Sequence, residues 1–364
     1  MSEPIKLYTS LPPNVSRTMS GREVGAAYLG ECIRSWRRGG FDVVSINGAN
    51  EIDSLTRQGY EVDYRSVPHD RPAISDFLAA IRGSQASVAG IINADVLLMA
   101  EPELLRTVVD TRGLTLMERI NINPDSLRPV GRSCYGFDAF VFATAPLSRI
   151  AQGEEFLFGH PWWDYWFPFA YLAAGGQLRL VKAPVLFHLQ HQLKWKHSHF
   201  VQNARNTVRC LRGLSGLPDD ANREIRNYGD PAAMSEAQLS RFGSWCFDKL
   251  KAMAEPIGMR PVPTDSSPLG TLVRLLSDST NRAWLGELDD AEGRVLIVAE
   301  TLSRKAVLLQ FWSLNLRALE RRFEMFLAGQ MRLLNPLKAA AAAFAAMAQR
   351  ARSIALGSKP GLPR

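Results

Sequence analysis

The stretch SVAGIINADVLLM, residues 87–99, decides the fold. Two apolar runs flank a polar turn that carries Asn93 and Asp95. Because a run that is apolar on both faces is typical of a strand covered on both sides, the first run predicts the centre of an α/β sheet. Ligands bind such sheets outside the carboxyl ends of the strands, where Asn93 and Asp95 would lie. A carboxylate there binds a ribose hydroxyl or a divalent metal that bridges phosphates, unless it only caps the turn.

Predicted strands and helices alternate around this stretch. Before it, we predict strands at 5–9, 41–46 and 60–65 and helices at 20–38 and 73–82. The first helix would begin with a capping box at Ser20 and Glu23, and Asn47-Gly48 predicts a turn after the second strand. After it, we predict a helix at 102–110 and strands at 114–117, 133–143, 178–181 and 185–188. This alternation predicts an α/β fold whose mostly parallel sheet is flanked by helices.

Helices predominate after this sheet, and we expect three parts: residues 1–205, a helical region at 206–290 and long C-terminal helices at 291–364. An amphipathic helix is predicted at 237–253, and a Pro- and Gly-rich linker follows at 255–270. Apolar residues at near-heptad spacing from Leu302 to Leu333, the C-terminal seam, predict one long helix. The seam either forms a homodimer or packs on this chain's own helices. An alanine-rich helix with Arg350 and Arg352 is expected beyond Ala339 and would bind an anionic membrane surface.

Composition indicates a globular protein with an anionic partner. Of 364 residues, 46% are hydrophobic and 22% are charged, and the net charge of +7 favours a nucleotide or an anionic membrane surface as partner. The sequence lacks a recognisable signal peptide and a membrane-spanning stretch. Four scattered cysteines without a Cys-x-x-Cys pair predict reduced thiols. We therefore expect a cytoplasmic protein.

The motifs that the sequence lacks exclude several function classes. No Gly-x-Gly-x-x-Gly follows a predicted strand, and no Walker Gly-Lys-Ser/Thr is present, which argues against dinucleotide binding and P-loop phosphate transfer. No Gly-x-Ser-x-Gly elbow appears. No helix-turn-helix or zinc-finger pattern accompanies the basic charge, so we expect no nucleic-acid partner.

One carboxylate lies in the densest aromatic segment of the chain. Asp164 is surrounded in the sequence by Trp162, Trp163, Tyr165 and Trp166. Desolvation among such rings would raise the pKa of the carboxyl group and make it a better general base. The indole rings would offer a stacking surface to the apolar face of a sugar. The alternative is an aromatic core in which Asp164 caps a helix.

Two imidazoles follow the last predicted strand. His188 and His191 are able to ligate a metal or contact a phosphate. Lys194, Lys196 and Arg205 follow shortly after them and are able to bind a diphosphate. The alternative is a solvated basic loop.

Taken in order, these segments resemble GT-A-fold glycosyltransferases of the bacterial surface-polysaccharide type over residues 1–205. The resemblance is carried by several short segments in the order of that fold: Ser35-Trp36, Ser45-Ile46-Asn47 with Glu51, Ile92-Asn93-Ala94-Asp95, Tyr135-Gly136-Phe137-Asp138, Trp163-Asp164-Tyr165-Trp166, and Phe187-His188 with His191. It implies that Asn93-Ala94-Asp95 takes the place of the family's Asp-x-Asp, which holds the ribose and a Mg²⁺ or Mn²⁺ ion. It also implies His188 as a further metal or diphosphate ligand and Asp164 as the base of an inverting enzyme.

We therefore expect an enzyme that moves a sugar from a nucleotide-sugar donor to a glycan or glycolipid acceptor during polysaccharide biosynthesis, with a peripheral location on the inner face of the membrane. Asp95, His188 and Lys194 would neutralise the diphosphate, and Asn93, Asn47 and Glu51 would hold the nucleoside. Asp164, or else Asp138, would be the base. The acceptor sugar would stack on the indole rings of residues 162, 163 and 166. The alternatives are a sugar nucleotidyltransferase and a non-catalytic glycan-binding or scaffold protein with a degenerate site.

Overall fold

The computed structural model describes residues 5–19, 22–98, 113–124, 129–132, 136–150, 156–181, 185–191 and 196–257. Their strands are β1 (Ile5–Thr9), β2 (Thr18–Met19), β3 (Arg22–Glu23), β4 (Phe41–Gly48), β5 (Asp63–Val67), β6 (Val88–Ile92), β7 (Val96–Leu98), β8 (Gly113–Met117), β9 (Arg119–Ile122), β10 (Pro129–Arg132), β11 (Ala139–Ala143), β12 (Gln177–Val181), β13 (Leu186–Leu189) and β14 (Glu255–Ile257). Their α-helices are α1 (Gly25–Arg38), α2 (Ala49–Arg57), α3 (Ile74–Gly83), α4 (Trp163–Ala173), α5 (His197–Gly213), α6 (Asp219–Arg226) and α7 (Glu236–Met253).

The main sheet has eight strands in the order β14-β12-β8-β11-β6-β1-β4-β5. Only β11 runs antiparallel to its neighbours β6 and β8, and the other pairs are parallel. The predicted α/β class with a mostly parallel sheet is confirmed. Because β11 is reversed, its amino end at Ala139 lies beside Ile92 and Met117, the carboxyl ends of β6 and β8. The segments that follow β6 and β8 and the segment that precedes β11 therefore lie at the same end of the sheet's strands.

A second sheet of four strands, in the order β10-β9-β13-β7, lies next to that end of the main sheet. Its strand β13 pairs antiparallel with β7 and parallel with β9, so that His188 is in register with Val96 on one side and with Asn121 on the other. Strand β7 begins directly after Asp95. The second sheet therefore brings His188 to the carboxylate that follows the central strand.

Alternate residues of the main sheet point into two separate hydrophobic cores. Tyr8, Phe140 and Phe142 pack with α3, α4 and α7, whereas Leu7 and Val141 pack with α1 and the second sheet. Both faces of the sheet are thus covered, as the apolar run at residues 88–92 predicted.

Helix α1 covers the edge strand β7 and fixes the residues around Asp95. Tyr28 and Trp36, on one face at helical spacing, are fully buried. The Trp36 Nε1–H donates to the Val96 carbonyl oxygen (2.9 Å), and the Ser35 hydroxyl accepts from the Leu98 N–H (2.9 Å). These side-chain bonds satisfy backbone groups at the edge of the second sheet, which would otherwise be buried without partners.

Two expected element boundaries at the amino-terminal half are wrong. The first helix begins at Gly25 rather than near residue 20, because the Glu23 carboxylate accepts from the Gly25 N–H (2.8 Å) and the chain before it pairs as the short strands β2 and β3; Ser20 lies outside the described residues. Asn47-Gly48 is not a turn. It ends β4 in parallel register with β5, and α2 follows directly.

The helices after β13 pack together on the main sheet. Leu239, Phe242, Cys246 and Leu250 of α7 form the predicted apolar face and are fully buried. The expected boundary between residues 205 and 206 falls within α5. The expected linker at 255–270 begins instead with β14, which pairs parallel with β12.

Several expectations fall on residues outside the described part of the chain: the helix at 102–110, the rest of the linker, the C-terminal seam and the alanine-rich helix. Among the described helices, none is both long enough and apolar enough to cross a bilayer.

Candidate functional site

The residues that follow β6 and β8 meet those that precede β11. The Asn93 N–H donates to the Asp138 carbonyl oxygen (2.8 Å), and the Asn93 amide donates to Asp138 Oδ1 (2.7 Å). Arg119 donates from Nη1 to the same carboxylate oxygen (2.7 Å). The Asp138 side chain is only 5% exposed. Asp138 therefore holds Asn93 and Arg119 in place at the edge of the sheet.

Asp95 is the centre of a compact cluster. Its Oδ2 atom lies 2.6 Å from an Arg17 guanidinium nitrogen, 3.0 Å from His191 Nε2 and 3.3 Å from His188 Nε2. The Tyr28 hydroxyl donates to the Asp95 carbonyl oxygen (2.9 Å) and ties the cluster to α1. The structure brings the predicted residues Asp95 and His188 together, and His191 lies beside them.

The environment fixes the charge of both main members of this cluster. Burial alone would raise the pKa of Asp95, but at the low pH where this carboxyl group titrates, the charge of protonated His188, together with His191 and Arg17, outweighs burial and holds that pKa well below its usual range. Burial also lowers the pKa of His188, in opposition to the charge of Asp95 and with the help of Arg119. At neutral pH, the site therefore presents a carboxylate and a neutral imidazole.

These groups fit a divalent metal ion. The ligand atoms of Asp95, His188 and His191 lie within 4.8 Å of one another. His188 Nδ1 lies 3.0 Å from Asn121 Oδ1, which only accepts, so Nδ1 carries the proton and Nε2 keeps its lone pair. That Nε2 atom is buried and makes no hydrogen bond within the described part of the chain. Two imidazoles and one carboxylate suit a transition ion such as Mn²⁺ better than Mg²⁺, which prefers oxygen ligands.

Asp164 lies in the first turn of α4 and holds the loop before β11. Its Oδ1 accepts from the Trp162 N–H (3.1 Å), and its Oδ2 accepts from the Phe137 N–H (3.1 Å). Gly136 has a positive φ of 89°, and a Cβ atom there would lie 2.1 Å from Asp164 Oδ2. The aromatic core that was the alternative is present, but the N-cap residue of α4 is Trp162, and Asp164 bonds its N–H from within the first turn. Burial and the charge of Asp138 raise the pKa of this carboxyl group to about 7.

Arg119 connects the three acidic residues that the sequence singles out. Burial opposes its charge, but the charges of Asp138, Asp95 and Asp164 raise its pKa. The guanidinium also donates from Nε to Asn121 Oδ1 (3.2 Å), the atom that orients His188. The charges of Asp95 in the metal-ligand cluster and of Asp164 therefore both act on one cation.

The expected stacking surface for a sugar is wrong. Trp162, Trp163 and Trp166 are 1–3% exposed and belong to the hydrophobic core. Trp162 stacks on Phe242 of α7 with ring centroids 5.8 Å apart, and Trp163 meets Phe140 of β11 edge to face at 5.4 Å. Helix α4 is covered on one side by the sheet and on the other by α5 and α7, so none of the three rings has an open face.

Asn47 and Glu51 lie at the carboxyl end of β4. Asn47 is fully buried, and its amide donates to the Leu11 carbonyl oxygen (2.9 Å) and to Glu51 Oε2 (2.8 Å). Its Oδ1 atom accepts from the Ser45 hydroxyl (2.6 Å). Asn47 thus fastens the loop after β1 to α2, and the half-buried Glu51 is the more accessible of the two. Lys194 lies outside the described residues.

Sequence reasoning missed Arg17, Arg119 and Asn121 as members of the site. Arg17 lies in a loop without periodicity, so nothing in the sequence distinguishes it from other surface arginines. Arg119 and Asn121 are two residues apart on β9 and so share one face, which an Arg-x-Asn spacing predicts once β9 is known to be a strand. Their proximity to His188 depends on the register of the second sheet, which no sequence pattern revealed.

No family model matches this sequence, and no curated protein matches it. Among solved structures, a mannosyltransferase (PcManGT) from Pyrobaculum calidifontis in complex with GDP-Man and Mn²⁺ is 13% identical, with 86% of this chain and 88% of that chain covered and a TM-score of 0.41. HddC from Yersinia pseudotuberculosis, complexed with GMP-PN, is 10% identical over 52% of this chain and 90% of its own, with a TM-score of 0.30. A nucleotidyl transferase (Mth528) from Methanothermobacter thermautotroptrophicus is 13% identical, with 41% of this chain and 76% of that chain covered and a TM-score of 0.27. These likenesses are too low to assign an activity to this chain.

Proposed function

We propose that this protein is an inverting glycosyltransferase that moves a sugar from a nucleotide-sugar donor to a hydroxyl group of a glycan acceptor in surface-polysaccharide biosynthesis, at the inner face of the membrane. One observation carries the proposal: Asp95, His188 and His191 form a divalent-metal ligand set after β6, and Arg119, which is paired with Asp138, interacts with the charges of both Asp95 and Asp164. Open α/β sheets bind their ligands outside the carboxyl ends of their strands.

The donor side of the proposal uses the cluster at Asp95. Asp95, His188 and His191 would hold the metal, which when bound supplies positive charge that stabilises the leaving diphosphate. Arg119 adds a fixed positive charge beside it. Asn93, whose amide is oriented by Asp138, would contact the ribose.

The acceptor side uses Asp164. A carboxyl group with a pKa of about 7 is matched to proton transfer at neutral pH, because it is ionised in part of the molecules and still basic. In the proposed step, the acceptor hydroxyl gives its proton to Asp164, its oxygen bonds to the anomeric carbon, and the bond from that carbon to the diphosphate breaks. Configuration at the anomeric carbon inverts, and a nucleoside diphosphate leaves.

A donor screen tests this function. The purified protein is incubated with a panel of nucleotide sugars and glycan acceptors, with Mn²⁺, Mg²⁺ or a chelator, and released nucleoside diphosphate is measured. We expect release with one donor class, faster with Mn²⁺ than with Mg²⁺ because of the nitrogen ligands. Asp95→Asn should lower donor affinity. Asp164→Asn should lower turnover by about 10²–10⁴-fold and leave donor affinity nearly unchanged. Asp42→Asn, an exposed carboxylate in β4, is the control.

Other results of this screen would support one of the alternative functions instead. Pyrophosphate release from a nucleoside triphosphate and a sugar phosphate would identify a nucleotidyltransferase. Glycan binding without either product, unaffected by Asp95→Asn, would identify a non-catalytic glycan-binding protein. If Asp164→Asn abolishes donor binding together with turnover, Asp164 belongs to the donor site and the inverting mechanism is wrong.

A further inference from the structure

Arg17 occupies the same carboxylate oxygen that a metal ion would need. Its guanidinium lies 2.6 Å from Asp95 Oδ2, the atom that both His188 and His191 also face. The Arg17 side chain is only 5% exposed, against 24% for Asp95. A divalent ion bound to this oxygen would therefore be within a few ångströms of a buried positive charge, and repulsion between the two is strong where water is excluded.

The backbone around Arg17 is held in place by a different group. Glu23 accepts from the Arg17 N–H (2.9 Å), the Ser16 hydroxyl (2.8 Å) and the Gly25 N–H (2.8 Å), and the Val24 N–H donates to the Arg17 carbonyl oxygen (2.7 Å). This turn is fixed to the start of α1, which is bonded to Asp95 through Tyr28. The guanidinium is thus presented to Asp95 by a closed turn whose bonds do not involve Asp95.

We infer that Arg17 is a built-in counter-cation for Asp95, which competes with the divalent ion and keeps the affinity of the free protein for metal low. Loading of the metal requires the guanidinium to leave Oδ2, while Glu23 keeps the turn in place. The released guanidinium remains beside the metal and is available to an anionic ligand.

Titration with Mn²⁺ alone tests this inference, with free Mn²⁺ followed by electron paramagnetic resonance. Arg17→Met removes the charge and keeps a long side chain, and it should bind Mn²⁺ at least about tenfold more tightly than the unaltered protein. Arg17→Lys keeps the charge and should stay within about threefold. Adding Asp95→Asn to Arg17→Met should abolish the increase in Mn²⁺ affinity. Because no donor is present, these results are independent of which transfer reaction the protein catalyses.

A second variant tests the inference without touching the cluster. Glu23→Gln weakens the turn that presents Arg17 and should also tighten Mn²⁺ binding, by less than Arg17→Met does. Equal or weaker Mn²⁺ binding by Arg17→Met, or no Mn²⁺ binding by any variant at millimolar concentration, would overturn the competition. The competition would also be overturned if Arg17→Lys bound Mn²⁺ as tightly as Arg17→Met does, because the positive charge would then have no effect on metal affinity.

Discussion

Two titratable groups, Asp164 and His160, should give the stability of this protein opposite dependences on pH. Burial and the charge of Asp138 raise the pKa of Asp164 to about 7 from an ordinary 3.8. Burial, the Arg71 guanidinium and His199 lower the pKa of His160 from an ordinary 6.5 to about 4. The His160 ring stacks on that of His199 with centroids 4.4 Å apart and receives a hydrogen bond from Arg71.

Whether stability rises or falls with pH depends on whether the folded or the unfolded state binds the proton more tightly. The folded state binds the Asp164 proton more tightly, so this contribution is complete below pH ~4 and is lost as the pH rises through ~7; a shift of about three units corresponds to ~4 kcal/mol. The folded state binds the His160 proton less tightly, so this contribution is complete above pH ~6.5 and is lost as the pH falls through ~4. Its full value is ~3 kcal/mol, which solvent screening at this partly open position reduces to ~1–2 kcal/mol.

Urea unfolding at half-unit steps from pH 4 to 8 measures both contributions. Asp164→Asn places an amide N–H₂ against a backbone N–H, which lowers stability by an amount that does not vary with pH. Relative to the unaltered protein, the free energy of unfolding of this variant should rise by ~3 kcal/mol as the pH rises from 4 to 7. Relative to the unaltered protein, the free energy of unfolding of His160→Gln should rise by ~1–2 kcal/mol as the pH falls from 6.5 to 4. The double variant should show the sum of the two difference curves.

Flat difference curves, within ~0.5 kcal/mol across this range, would refute the reasoning, because each group would then have the same pKa folded and unfolded. A flat curve for Asp164→Asn alone would also remove the pKa argument for Asp164 as a base at neutral pH.

Three further predictions concern packing. Gly136→Ala should lower the free energy of unfolding by more than ~2 kcal/mol in urea titrations, because its Cβ would lie 2.1 Å from Asp164 Oδ2 and its φ is 89°. Trp36→Phe should cost ~1–3 kcal/mol in the same assay, since the buried Val96 carbonyl oxygen loses its indole donor. If the C-terminal seam forms a dimer, equilibrium sedimentation will find a dimer at micromolar concentration that Leu316→Asp converts to a monomer; a monomer in both proteins refutes it.

Sequence patterns predicted the parts of this fold that depend on local periodicity. The central strand, the face of α1 that carries Tyr28 and Trp36, and the apolar face of α7 all follow from the spacing of apolar residues. Asp95 was predicted as a site residue because it follows the central strand, and that position is a property of α/β sheets in general. His188 was predicted because it ends the last strand of the predicted sheet.

The rest depended on pairings between distant segments. Arg17 meets Asp95 across 78 residues of sequence, and His188 meets Asn121 across 67. The aromatic residues around Asp164 were misinterpreted for a related reason. Their density is equally typical of a core and of a sugar-binding surface, and only the positions of α5 and α7 over α4 distinguish the two.

A continuous set of hydrogen bonds couples the two sheets at the site. Asp138 accepts from Arg119, whose Nε donates to Asn121, and the same amide oxygen accepts from His188 Nδ1. The tautomer of His188 is therefore set through three bonds that begin at Asp138, in the segment before β11. Because Arg119 also interacts with the charge of Asp164, the ionisation of Asp164 changes the field at the ligand cluster. In the proposed reaction, a proton taken up by Asp164 removes one of the negative charges around Arg119, and this leaves more of the guanidinium's positive charge to stabilise the diphosphate as it leaves.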